Sequence, residues 1–146
     1  MFSKIEKLVT PPEGLSKFAD PVLRVATSLI FIIGGLGHFG AHDIMLARME
    51  ASPWRDVIFM FGDPSYLLWL SGVIFIVFGI TLALGLVTRL SALLIFLTLL
   101  PITVTIHFAP DHVGPLFKNV AILGALFFIF CRGSGSYAID KLLQDR

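Results

Sequence analysis

Charged residues are scarce in this sequence. Asp, Glu, Lys and Arg make up 14% of its 146 residues, against 56% hydrophobic residues. A soluble domain carries about a quarter charged residues, and so apolar a chain cannot cover a water-facing surface with so few. The net charge of +1 gives no electrostatic reason to expect a nucleic-acid partner. Cysteine is nearly absent. Cys131 stands alone, which excludes an intramolecular disulfide and a C-x-x-C thiol-exchange site. No H-E-x-x-H, cysteine cluster, P-loop or serine-hydrolase pattern is present. Residues 1–20 lack the short apolar run and cleavage site of a signal peptide, so none is expected.

Long apolar runs are what the chain does have. A bilayer-spanning helix needs roughly 20 predominantly apolar residues, and four runs qualify, at about 21–39, 66–86, 90–108 and 115–131. Strands could not satisfy their backbone in lipid. The expected fold is therefore all-α: a single-domain polytopic membrane protein, an antiparallel bundle of four transmembrane helices. With an even number of spans both termini share a side. Eight Lys and Arg residues fall on that side and three on the other, which places both termini in the cytoplasm. Acidic residues deepen the contrast, to +3 inside and −2 outside.

Between the first two spans, residues about 43–61 alternate apolar and charged side chains around Pro53 and Trp54. They read as one or two amphipathic helices at the outer surface, anchored by Trp54. They would either cover a site in the bundle mouth or simply shield the helix ends. Small residues (Gly34, Gly35, Gly37 and Gly40; Gly79 with Ala83; Ala121 with Ala125) are expected to let helices approach closely. Pro101, mid-span, is expected to kink the third helix. Gly35-Leu36-Gly37-His38-Phe39-Gly40 matches G-x-G-x-x-G by letter only, because it ends a membrane helix rather than opening one after a strand.

The four histidines carry the most informative coincidence. His38 and His42 close the first span, and His107 and His112 close the third, so the topology gathers all four on the outer side. Thr103, one turn before His107, is placed to bond its ring. Imidazoles converging from two helices can hydrogen-bond a quinone and relay its protons, ligate haem or bind a metal. They are also common at polar helix ends with no such duty. Lys118 and Asn119, near the start of the fourth span, join the candidate set. Lys118 would pair with Asp63, Asp111 or an anionic ligand, or simply snorkel to the interface with no such duty. No cofactor is named by the residues. A quinone stands ahead of haem or metal, and His38 with His107 are the candidate catalytic pair. On the inner side, Arg24 and Arg89 would pair with Asp140 or with lipid phosphates. Gly133 to Asp140 reads as a helix exit, with Asp140 capping a short C-terminal helix.

Several segments are familiar in combination. They are Arg24 opening the first span, Ile30-Phe31 with Gly34-Gly35 leading to His38-Phe39, the turn Leu84-Gly85-Leu86-Val87-Thr88-Arg89 with Ser91-Ala92, the stretch Phe117-Lys118-Asn119-Val120-Ala121-Ile122-Leu123-Gly124, and the closing Gly133-Ser134-Gly135-Ser136-Tyr137-Ala138-Ile139-Asp140. Over residues 20–143 the chain resembles the DoxX family of small four-helix bacterial inner-membrane proteins. The family takes its name from a subunit of a thiosulfate:quinone oxidoreductase, and the resemblance implies a membrane subunit of a quinone-linked redox system with a partner redox protein. No catalytic set comes with it. A non-catalytic adaptor that assembles a partner complex is the alternative, and a small-molecule transporter ranks third. Self-association of the chain is left open.

Overall fold

A computed structural model describes residues 2–107 and 113–144; His112 and Asp111, both named above, lie outside them. Two short helices, α1 (Phe2–Val9) and α2 (Glu13–Ser16), precede the first long one, α3 (Ala19–Gly40). Next come α4 (His42–Glu50) and α5 (Arg55–Met60), then three long helices, α6 (Pro64–Leu84), α7 (Thr88–His107) and α8 (Val113–Arg132), and the short α9 (Ile139–Gln144). No strand occurs among the described residues. The helices α3, α6, α7 and α8 are each long and apolar enough to cross a membrane. Their outward faces are studded with exposed Leu, Ile, Val and Phe, as lipid contact requires and water would penalise.

The bundle runs α3–α6–α7–α8, with α3 on α6 the most extensive contact and α3 on α8 the sparsest of these neighbours. Its core is Phe31, Phe75, Leu82, Ala92, Ile95, Leu99, Ile122, Leu126 and Ile129. Glycines allow the α3–α6 contact. A Cβ on Gly35 would lie 2.9 Å from the Gly72 carbonyl, and one on Gly79 would lie 2.9 Å from Ile32. These contacts run α3 antiparallel to α6. The small pair expected on the fourth span behaves differently: Ala121 is exposed and Ala125 only half-buried.

Turn chemistry sets the helix limits. Asp63 caps α6 by accepting from the Ser65 N–H at 2.8 Å, with Pro64 in the first turn, where its missing N–H costs nothing. Gly85, left-handed at φ 67°, ends α6 two residues before the expected limit. The Leu86 N–H reaches back to the Thr81 carbonyl at 2.9 Å, closing a Schellman-type turn. At Pro101 α7 continues without interruption.

The end of the bundle that holds the chain termini is tied by polar contacts. Arg24 is 2% exposed. Its guanidinium donates to the carbonyls of Ser134, Ser136 (3.1 Å) and Tyr137 (3.0 Å). The expected role of Asp140 needs correction. It sits within the first turn of α9, and its carboxylate caps α7 instead, accepting from Val87 N–H at 2.7 Å, Thr88 N–H at 2.9 Å and the Thr88 hydroxyl at 2.8 Å. Its own N–H donates to the Gly85 carbonyl at 2.9 Å. Val87 is held left-handed at φ 43°, a strained state for a β-branched residue. Arg132 pairs with Asp20 at 2.7 Å. Three of the segments that carry the family resemblance, Arg24, the 84–89 turn and the 133–140 stretch, therefore meet at this end of the bundle.

Candidate functional site

The opposite end of the bundle carries the two surface helices and a cavity. The residues expected to be amphipathic form α4 and α5, which pack over α6 and α7. Ile58 of α5 is buried and roots this lid. The Ser52 hydroxyl, in the turn between the two helices, donates to the Thr105 carbonyl near the end of α7. Trp54 lies exposed beside it, where an interfacial aromatic belongs.

Beneath the lid lies a cavity of about 400 Å³, within the range of small-molecule sites. Its wall is mainly apolar, from side chains such as Met45, Met49, Leu68, Ile74 and Ile102. The polar residues on it are few: His38 of α3, Arg48 of α4, Ser71 of α6, and Thr98, Thr105 and His107 of α7. His38 is fixed against α6. Its Nδ1 lies 2.9 Å from the Ser71 hydroxyl and 3.3 Å from the Leu68 carbonyl, and Phe75 packs against its ring with centroids 5.5 Å apart.

Of the sequence candidates, His38 and His107 both line this cavity, while His42, Lys118 and Asn119 do not. Helix α3 stops at Gly40, so His42 opens α4 rather than extending the face of His38. The His42 Nε2 meets the Ser65 hydroxyl at 3.0 Å, and its ring packs on Trp69. Asn119 is buried between helices and donates to the Thr103 hydroxyl at 3.1 Å. Thr103 in turn donates to the Leu99 carbonyl at 2.7 Å, so its one proton stays within α7 and towards other groups it can only accept. Lys118 is exposed, and the acid proposed for it, Asp63, spends its Oδ1 on capping α6. Among the described residues no three His, Cys, Asp or Glu side chains are grouped to hold a metal ion.

Sequence reasoning missed Ser71 and Arg48. Ser71 could have been noticed as a polar residue in an uncharged span. Arg48 gave no such signal, because one charge among several on an amphipathic segment does not stand out.

The DoxX family model matches residues 19–108, more than half of the chain. No curated protein and no solved structure matches.

Proposed function

The chain belongs to the DoxX family, and from that premise we propose that it is the quinone-binding membrane subunit of a redox system in the bacterial inner membrane. The single observation that carries this reading is the apolar cavity under the lid, with an anchored imidazole in its wall. The residues present suit such a ligand. A flat ring needs apolar walls and a few directional polar groups, which His38, Thr98, Thr105 and His107 supply. A long apolar tail needs an exit into lipid, and the lining residues Leu70 and Pro101 are also exposed on the outside of α6 and α7.

Bound there, a quinone would supply two-electron, two-proton chemistry, with a partner redox protein as donor or acceptor of the electrons. The chain's own groups would do the rest. His38 and His107 exchange protons with the ring and hydrogen-bond its hydroxyl-bearing form. The lid keeps bulk water out, and Arg48 sets a positive charge at the mouth. The Lys and Arg distribution favours cytoplasmic termini and a lid on the outer face. Purification in detergent, followed by solvent extraction and mass spectrometry, should recover a quinone at a fixed ratio to protein. Simultaneous alanine substitution of His38 and His107 should abolish that recovery, and unchanged recovery would sink the proposal.

One observation favours a second reading, a non-catalytic adaptor. The outward face of α8 exposes Phe117, Ala121, Phe127 and Phe128, and no other described part of the chain meets Gly124 there. Such a face suits a partner's transmembrane helix. Stoichiometric co-purification of a partner without quinone would decide for it.

A further inference from the structure

The hydrogen bonds around the cavity restrict what can bind there. Glycine sets the geometry. At Gly72 a Cβ would come within 3.0 Å of the His38 Cβ, so only the bare backbone lets the imidazole approach α6 this closely. Three contacts then fix the protons. The Ser71 hydroxyl donates to the Leu68 carbonyl at 2.8 Å. A hydroxyl has one proton, so towards His38 the Ser71 oxygen can only accept. The Leu68 carbonyl, 3.3 Å from Nδ1, can only accept as well. Both neighbours of Nδ1 therefore demand a donor, and neutral His38 carries its proton on Nδ1. The other tautomer would set the Nδ1 lone pair against a carbonyl lone pair and pull the Ser71 proton off Leu68, in surroundings where lost hydrogen bonds are costly.

That leaves Nε2 as a bare acceptor on a residue of the cavity wall. The threonines agree. The Thr98 hydroxyl donates to the Leu94 carbonyl and the Thr105 hydroxyl to the Pro101 carbonyl, each at 2.8 Å. Their protons are committed to their own helix, and their lone pairs remain for a ligand. Beneath the lid, His38, Thr98 and Thr105 thus offer acceptors. A quinone carbonyl, itself an acceptor, gains nothing from any of the three, whereas a hydroxyl on the same ring gains a partner.

We propose that the cavity selects the reduced, hydroxyl-bearing form of its aromatic ligand, a hydroquinone or related phenol, with His38 Nε2 accepting the hydroxyl hydrogen bond. This rests on the quinone reading above and specifies the redox state that the site prefers.

Two measurements test it on the full chain in detergent. The first needs no ligand: nitrogen-15 NMR of histidine-labelled protein reports the ring tautomer. The expected result is a protonated Nδ1 and a bare Nε2 for His38, identified by loss of its signals in His38→Phe. A neutral ring protonated on Nε2 would overturn the proposal. The second compares anaerobic binding of tetramethylhydroquinone, its quinone and its dimethyl ether by calorimetry. The hydroquinone should bind about tenfold or more tighter than the other two, as expected where a site is built around one hydrogen bond. His38→Phe should erase the preference. Should that variant fail to fold, Thr98→Val should narrow the preference several-fold while leaving the His38 tautomer unchanged. Equal or tighter binding of the quinone would overturn this proposal and leave the quinone reading standing. Binding of none of the three would overturn both.

Discussion

Replacement of Asp140 by alanine removes the group on which the terminal end of the bundle converges. One carboxylate serves two backbone N–H groups and a hydroxyl at the start of α7, and these donors lose their partner when it goes. Loss of an N-cap side chain costs about 0.5–2 kcal/mol, and hydrogen bonds to a charged group are worth about 1.5–3 kcal/mol each. The three bonds share one acceptor group and are not additive, so the expected loss is about 3 kcal/mol for Asp140→Ala. Asp140→Asn keeps one carbonyl oxygen and should fall between. Partial burial pushes the Asp140 carboxyl up, but bonds from Thr88 and Val87 and the charge of Arg24 outweigh it and hold the group below the usual carboxylate range. A depressed folded-state value means that the stabilisation is complete above the unfolded-state pKa and is lost as pH falls through the folded one. The loss therefore belongs to the acid limb, below about pH 4. Reversible unfolding in mixed micelles titrated with dodecyl sulfate, followed by far-ultraviolet circular dichroism, measures both effects. A change under about 0.5 kcal/mol for Asp140→Ala, or an acid limb in Asp140→Asn as steep as in the parent, would refute the reasoning.

Two further outcomes use the same unfolding assay. Arg24→Lys should destabilise by about 2–4 kcal/mol, because a point-charge ammonium cannot reach the three carbonyls that the guanidinium fork spans, and the 133–137 turn should become sensitive to protease. Gly35→Ala should cost about 1–3 kcal/mol by overpacking the α3–α6 contact, whereas Gly124→Ala, with open space beside it, should be neutral or gain about 0.5–1 kcal/mol. Equal responses at the two glycines would show that α3 and α6 do not approach as described.

The four long helices were legible because hydropathy is local: each span announces itself within its own 20 or so residues. Even there, a boundary moved where turn chemistry intervened, as when Gly85 ended α6 ahead of the apolar run. The two surface helices were legible from charge alternation and Pro53. Pairings across the chain were not. The sequence around Asp140 suggests a helix start and says nothing of Thr88, 52 positions away. His38 was found from its place at a helix end, but its partner Ser71 lies on another helix, and only the closeness permitted by Gly72 brings them together. Periodicity likewise could not tell that Thr103 would accept from Asn119 on a neighbouring helix. Legibility ended where contacts between distant segments began.

The tie between Asp140 and α7 also has a consequence in time. A polypeptide emerges from the ribosome N-terminal end first, so α7 reaches the membrane before its cap has been synthesised. The left-handed Val87 and the first N–H groups of α7 must wait for the last helix to return from 52 residues downstream. Insertion of the four spans and closure of the bundle are therefore separate events, and a chain stalled before residue 140 would be membrane-embedded yet unfinished.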